Sequence, residues 1–119
     1  MARVLIVDDE PSMRFLLRAM FEIEGHVVEE ASNGLEAIQL IEGGRPPDLV
    51  VTDFMMPLMN GGELIGRLRA NPASEHIGVI LVSSSPGSER KTTADAFFRK
   101  PFDPAAVVAC ADALLARGG

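Results

Sequence analysis

Five short apolar runs punctuate the chain: RVLIVD (3–8), HVVEE (26–30), DLVVTD (48–53), GVILVS (78–83) and AFFR (96–99). Each is rich in β-branched or aromatic residues and too short for a helix, which reads as a strand. Helical periodicity fills the intervals. Met13, Leu16, Leu17, Met20 and Phe21 follow the i, i+3, i+4, i+7, i+8 stripe of a core-facing helix. Pro11 suits its first turn and Gly25 its C-terminal cap. A second helix opens near Asn33 with Glu36 three residues on, and carries Ile38 and Ile41 inward. A third repeats that capping logic with Asn60 and Glu63. The last opens on Asp103–Pro104, a capping side chain followed by Pro at the first helical position. Its stripe is Val107, Cys110, Ala111, Leu114 and Leu115, which places Cys110 in the core as a small hydrophobe.

Alternation of this kind predicts an α/β fold: a doubly wound, five-stranded parallel sheet with helices on both faces. Right-handed crossovers favour the flavodoxin-like strand order 2-1-3-4-5. At 119 residues the chain forms one domain, 1–119, with a single core. No effector domain is expected within it, so output passes by protein contact, or the chain is a segment of something longer.

Composition changes this picture little. The chain is 47% hydrophobic and 24% charged, with 11 basic against 17 acidic residues and a net charge of −6. That balance disfavours binding to a nucleic-acid backbone. The only early apolar run, Val4 to Val7, is too short for a signal peptide or a membrane span. A lone Cys110 excludes an internal disulfide and fits a reducing compartment, so a cytoplasmic protein is expected. His26 and His76 lack ligand spacing and are expected to face solvent; Arg67, Arg69, Arg90 and Lys91 read as solvated faces or loops. Met55, Met56 and Met59 read as gap-filling core residues.

In such sheets ligands bind outside the carboxyl ends of the strands. Strand 1 ends on Asp8, Asp9 and Glu10, strand 3 on Asp53, strand 4 on Ser83, and strand 5 on Lys100–Pro101–Phe102. The predicted order gathers three aspartates, a hydroxyl and a lysine on one rim. Two carboxylates about 4 Å apart repel by roughly 4 kcal/mol at an effective dielectric of about 20. One lysine under-compensates three. Either one carboxyl stays protonated or a divalent cation sits among them, and oxygen donors without His or Cys suit Mg²⁺. A phosphoryl group arriving there would meet the cation, Lys100 as a point charge and Ser83 as a donor, with Asp53 placed as a nucleophile that forms an aspartyl phosphate.

Taken together and in this order, Asp8–Asp9, the stretch DFMMPLMNG (53–61), Ser83 and Lys100–Pro101–Phe102 resemble the receiver domain of two-component response regulators over essentially the whole chain. The resemblance implies a phosphorylation-dependent switch, and a domain that assists its own phosphorylation and dephosphorylation without being an enzyme. Asp53 would accept a phosphoryl group from a phosphohistidine on a sensor histidine kinase or a histidine phosphotransferase. Mg²⁺ would be held by Asp9, Asp53 and the Met55 carbonyl, with Asp8 acting through water. Lys100 would hold the phosphoryl oxygens, its bond to Pro101 in the cis form. Ser83 would swing toward the phosphoryl group and Phe97 would follow inward, changing the surface offered to a downstream protein.

Three departures from the family pattern stand out. Ser84 follows the hydroxyl residue where a small apolar side chain is usual, and Phe97 replaces the commoner tyrosine. Only residues 84–95 remain for the last crossover, near the minimum of about 10–12 for a βαβ unit. Pro86 and Gly87 consume part of them, so the fourth helix is expected to shrink to one or two turns or to be irregular. Competing readings fare worse. An aspartyl hydrolase wants a second acid where Met55 stands, and a flavin carrier wants a phosphate loop where Asp8–Asp9 would repel the ligand. A degenerate receiver that only binds a partner is disfavoured by the intact acid, hydroxyl and lysine set.

Overall fold

Apolar runs that alternate in-facing and out-facing side chains can bury both sets only if a sheet is covered on both sides. The computed structural model, which describes residues 2–118, is built this way. The strands are β1 (Arg3–Val7), β2 (Val27–Ala31), β3 (Leu49–Asp53), β4 (Gly78–Ser83) and β5 (Ala96–Arg99). All pair in parallel, in the order β2-β1-β3-β4-β5. The helices are α1 (Pro11–Ile23), α2 (Gly34–Gly43), α3 (Gly61–Ala70) and α4 (Pro104–Gly118). Leu5, Val7, Val50 and Leu81 pack with α2 and α3 on one face, while Val4, Ile6, Val51 and Ile80 pack with α1 and α4 on the other.

Local chemistry explains the helix ends. Asn33 accepts from the Glu36 N–H at 2.8 Å, and Asn60 and Glu63 form a reciprocal capping box. Gly25, at φ 87°, closes α1: its N–H bonds Glu22 O at 2.9 Å while His26 N–H bonds Phe21 O at 3.2 Å. Those two bonds make a Schellman ending, and the left-handed φ is one glycine adopts freely. The Asp103 carboxylate accepts from the Ala105 N–H at 3.0 Å at the start of α4. Cys110 packs against the second core cluster, and burial pushes its thiol above the ordinary value.

The crossover between β4 and β5 is short, as expected. Its only helical turn is a 3₁₀ turn, η1 (Ser88–Lys91). What holds this abbreviated segment is Arg69, a correction to the reading of that residue as a solvated face. Its guanidinium donates to Glu75 O at 2.8 Å, Ile77 O at 2.6 Å and Asp95 Oδ2 at 2.9 Å. Asp95 in turn accepts from the Val79 N–H at 2.8 Å. One side chain on α3 thus ties the approach to β4 to the approach to β5. Arg69→Ala removes the donor shared by two carbonyls and a carboxylate, and is expected to destabilise the fold by about 2 kcal/mol in urea unfolding. A change no larger than that of Arg67→Ala, whose side chain is half exposed, would refute this role.

Other expectations also need correction. Leu16 is 41% exposed, because it lies about 100° around the helix from Leu17, at the edge of the stripe centred on Leu17 and Phe21. His26 does not face solvent: Nδ1 accepts from the Ala2 N–H at 3.1 Å and Nε2 lies 3.4 Å from Asp112. Its ring sits 6.0 Å from that of Phe21, in the turn that leads into β2. His76 is exposed as expected. Met56 and Met59 pack on the core, whereas Met55 points outward at 60% exposure.

Candidate functional site

Strand register assembles the site. Val7 lies opposite Thr52, Asp53 opposite Val82, and Ser83 opposite Arg99. The residues at or just beyond these ends are therefore brought to one rim: Asp8, Asp53, Ser83 and Lys100. Asp8 is 1% exposed and every polar group it carries is engaged. Its N–H bonds Ala31 O at 3.1 Å, and its carbonyl accepts from Arg14 Nη1 at 2.6 Å. Its Oδ1 accepts from the Glu10 N–H at 2.9 Å, and its Oδ2 from Lys100 Nζ at 3.1 Å. Asp53 Oδ2 takes a second bond from Lys100, also 3.1 Å, while Oδ1 accepts from the Phe54 N–H at 2.7 Å. Glu10 lies at the edge of the set, 3.8 Å from the ammonium.

Electrostatics follow from this crowding. Burial pushes the Asp53 carboxyl above its ordinary value, against the pull of the Lys100 ammonium. Burial also opposes the charge on Lys100, but its bonds to Asp53 and Asp8 outweigh that, and the ammonium is held above its ordinary value. Asp9 is exposed, and Asp8, Asp9 and Asp53 each offer an oxygen within 4.8 Å of the others. A set of hard oxygen donors at that spacing fits a small divalent cation such as Mg²⁺. The carbonyls of Asp53 and Phe54 are taken by the Thr52 hydroxyl at 2.8 Å and the Gly61 N–H at 2.7 Å; that of Met55 is the next along the chain.

Ser83 is buried at the end of β4, its Oγ accepting from the Ser85 N–H at 2.9 Å. Its hydroxyl proton is therefore free for another acceptor. Phe97 is half-buried against the core cluster beneath α2 and α3. Lys100–Pro101 is cis. Sequence reasoning passed over Arg14 and took Gly61 only as a loop residue after Asp53. A cation one turn into α1 and a glycine within a capping sequence both have ordinary local explanations, and only the folded loops give them more.

This rim is that of a known family. The family description "Response regulator receiver domain" matches residues 4–112. The chain is a response-regulator receiver domain. It is 36% identical over 121 residues to the chemotaxis protein CheY of Halobacterium salinarum, covering 96% of this chain and 98% of that one. It is 37% identical to the phosphate regulon regulator PhoB of Rhizobium meliloti, of which it spans 52%. Among solved structures, the receiver domain of a histidine kinase from Syntrophus aciditrophicus superposes with a TM-score of 0.90 at 31% identity, over 98% of this chain and 91% of that one. The response regulator TrrA of Thermotoga maritima, solved in complex with Mg²⁺–BeF, gives 0.84 at 32% identity, over 96% and 99%. Receiver domains are the signalling switches of two-component systems. Among the described residues, no helix is long and apolar enough to cross a membrane.

Proposed function

We propose that Asp53 accepts a phosphoryl group from the phosphohistidine of a sensor histidine kinase or histidine phosphotransferase. The single observation that carries this reading is the placement of one ammonium, Lys100 Nζ, 3.1 Å from both Asp8 and Asp53 beside a three-carboxylate cluster. A carboxylate oxygen of Asp53 attacks phosphorus, the phosphorus–nitrogen bond breaks, and the electron pair stays on the imidazole, which is protonated from solvent. Asp9, Asp53 and the Met55 carbonyl would hold Mg²⁺, with Asp8 acting through water, and the bound ion would supply charge neutralisation for the phosphoryl oxygens. Lys100 exchanges one aspartate for a phosphoryl oxygen, and Ser83 donates its hydroxyl proton to another.

Those contacts exist only after phosphorylation, so they favour a conformation in which Ser83 and Phe97 have moved and a downstream protein meets a different surface. The same groups serve attack by water and so assist dephosphorylation. Exposed apolar side chains near the rim, Phe15 at 74% and Leu58 at 78%, provide contact area for the protein that carries the phosphohistidine. Such donors place the domain in the cytoplasm, and the net charge of −6 directs it to protein rather than nucleic-acid partners.

Acetyl phosphate with Mg²⁺ should add one phosphoryl mass to the protein, labile to base, and Asp53→Asn should abolish it. A gain that survives in Asp53→Asn would assign the nucleophile elsewhere. No gain in the unmodified protein would favour a module that acts without phosphorylation. The same variant tests the electrostatics. A carboxyl raised by burial contributes stability below its ordinary value, near 3.8, that is lost as pH rises through the raised value. Metal-free Asp53→Asn should thus be more stable than wild type at neutral pH, with the gap closing as pH falls toward 4. Urea midpoints across that range check it; a gap that widens on acidification would contradict it.

A further inference from the structure

The acid loop between β1 and α1 is held from behind by a network that the phosphoryl chemistry does not use. Arg14, one turn into α1, donates through Nη1 to the main-chain carbonyl of Asp8 at 2.6 Å and through Nε to Glu30 Oε1 at 3.1 Å. Glu30 stands on β2, the edge strand beside β1, and its other oxygen accepts from Arg18 Nη1 at 2.8 Å. Arg18 also bonds Glu22 at 3.1 Å, which closes the set. Arg14 is therefore not free to wander: a carboxylate on a strand fixes one nitrogen, and the planar guanidinium then aims another at a fixed point.

That point is the peptide that joins Asp8 to Asp9. Asp8 is the last residue aligned with the sheet, its N–H tied to Ala31 on the same edge strand. With its N–H held by β2, Asp8 has the preceding Val7–Asp8 peptide fixed, and the carbonyl held by Arg14 sets the plane of the Asp8–Asp9 peptide that follows. The directions in which the two carboxylates leave the backbone depend on that plane.

We propose that Arg14 is a positioning residue for the cation site: through the Asp8 carbonyl, with Glu30 as its anchor, it sets the mutual geometry of Asp8 and Asp9. This rests on the Mg²⁺ reading of the acid cluster above. A pure charge effect predicts the opposite sign to positioning. Removing a positive charge beside a cation site tightens cation binding by Coulomb's law, whereas loosening the groups that orient the ligands weakens it.

The experiment is a calorimetric titration of Mg²⁺ into the metal-free full chain, at a temperature where urea unfolding shows each protein to be folded. Arg14→Ala should bind Mg²⁺ about tenfold more weakly than wild type, in the range typical of groups that orient metal ligands. Arg14→Lys keeps the charge but lacks the planar fork, so it should also be weakened, by a smaller factor. It serves as the deciding variant if the alanine protein does not fold. Equal or tighter binding in the folded variants would overturn the proposal while leaving the metal site standing. Absence of any Mg²⁺ binding by the unmodified protein would remove the metal reading and this inference with it.

Discussion

Lys100→Met is expected to destabilise the metal-free protein by about 3 kcal/mol, and Mg²⁺ is expected to recover most of that loss. Asp8 and Asp53 are both buried, and Lys100 is the cation bonded to each of them at 3.1 Å. Without it, two carboxylates within 4.8 Å of one another repel by roughly 3.5 kcal/mol at an effective dielectric of about 20. Methionine fills much of the vacated volume, so the loss is electrostatic and not a cavity effect. Its remedy is therefore another cation. Free Mg²⁺ at about one hundred times its dissociation constant stabilises the folded state by about 2.7 kcal/mol. The ammonium and the metal compete for the same oxygens, so the variant should also bind Mg²⁺ more tightly than wild type. Phosphorylation by acetyl phosphate should slow, because the ammonium proposed to hold the phosphoryl group is gone. Urea unfolding with and without Mg²⁺ separates the possibilities: a loss of equal size under both conditions would mean that Lys100 matters for packing alone.

The sheet and its rim were legible because short-range signals carry them. Asp53 follows three apolar residues and the β-branched Thr52, and precedes a loop with Pro57, Asn60 and Gly61, so both the strand and its end can be read locally. Strand order follows from chirality and loop length, and the order delivers the convergence of Asp8, Asp53, Ser83 and Lys100. The shortened crossover was legible by counting residues between Ser83 and Ala96. What was not legible depends on partners distant in sequence. Arg69 has the look of a surface cation on a helix until the approach to β4 presents two carbonyls to it and the approach to β5 the Asp95 carboxylate. His26 is ordinary until the first described residue, Ala2, and α4 close over it. Met55 sits among apolar neighbours, but the loop after Asp53 turns its side chain outward. Periodicity missed Leu16 for a simpler reason: an i, i+3, i+4 pattern tolerates one apolar residue at the margin of the buried arc.

The abbreviated crossover also bears on how a signal leaves the domain. Where a full helix would stand, η1 presents Lys91 over the ring of Phe54, 5.9 Å from its centroid. The segment is held at one end by the Ser83–Ser85 bond and at the other by Arg69 and Asp95. The movement of Ser83 proposed above would thus act on a short tether anchored to α3.

Gly61→Ala should be the most damaging single methyl in the chain. A Cβ at Gly61 would collide with the Asp53 carbonyl oxygen and lie 2.9 Å from Phe54 Cα, both of them backbone atoms that cannot rotate away. The close approach exists because the Gly61 N–H bonds Phe54 O at 2.7 Å, which draws the start of α3 against the end of β3. Relief requires either that α3 retreat, which breaks that bond and strains the Asn60–Glu63 capping box, or that the Asp53–Phe54 peptide shift. The second route moves the proposed nucleophile itself. Overpacking against backbone lies at the upper end of the usual range, so about 3 kcal/mol of destabilisation is expected, with phosphorylation impaired even where the variant is folded. Gly62→Ala is the control. Its Cβ would meet Phe54 Cε1 at 3.1 Å and Asn60 Oδ1 at 3.3 Å, side-chain atoms that can yield by small rotations. Alanine's better helix propensity, worth up to about 1 kcal/mol, offsets that crowding and leaves Gly62→Ala near neutral. Urea midpoints for the pair decide the matter: if Gly61→Ala is no less stable than Gly62→Ala, the contact between α3 and the β3 end is softer than its geometry implies.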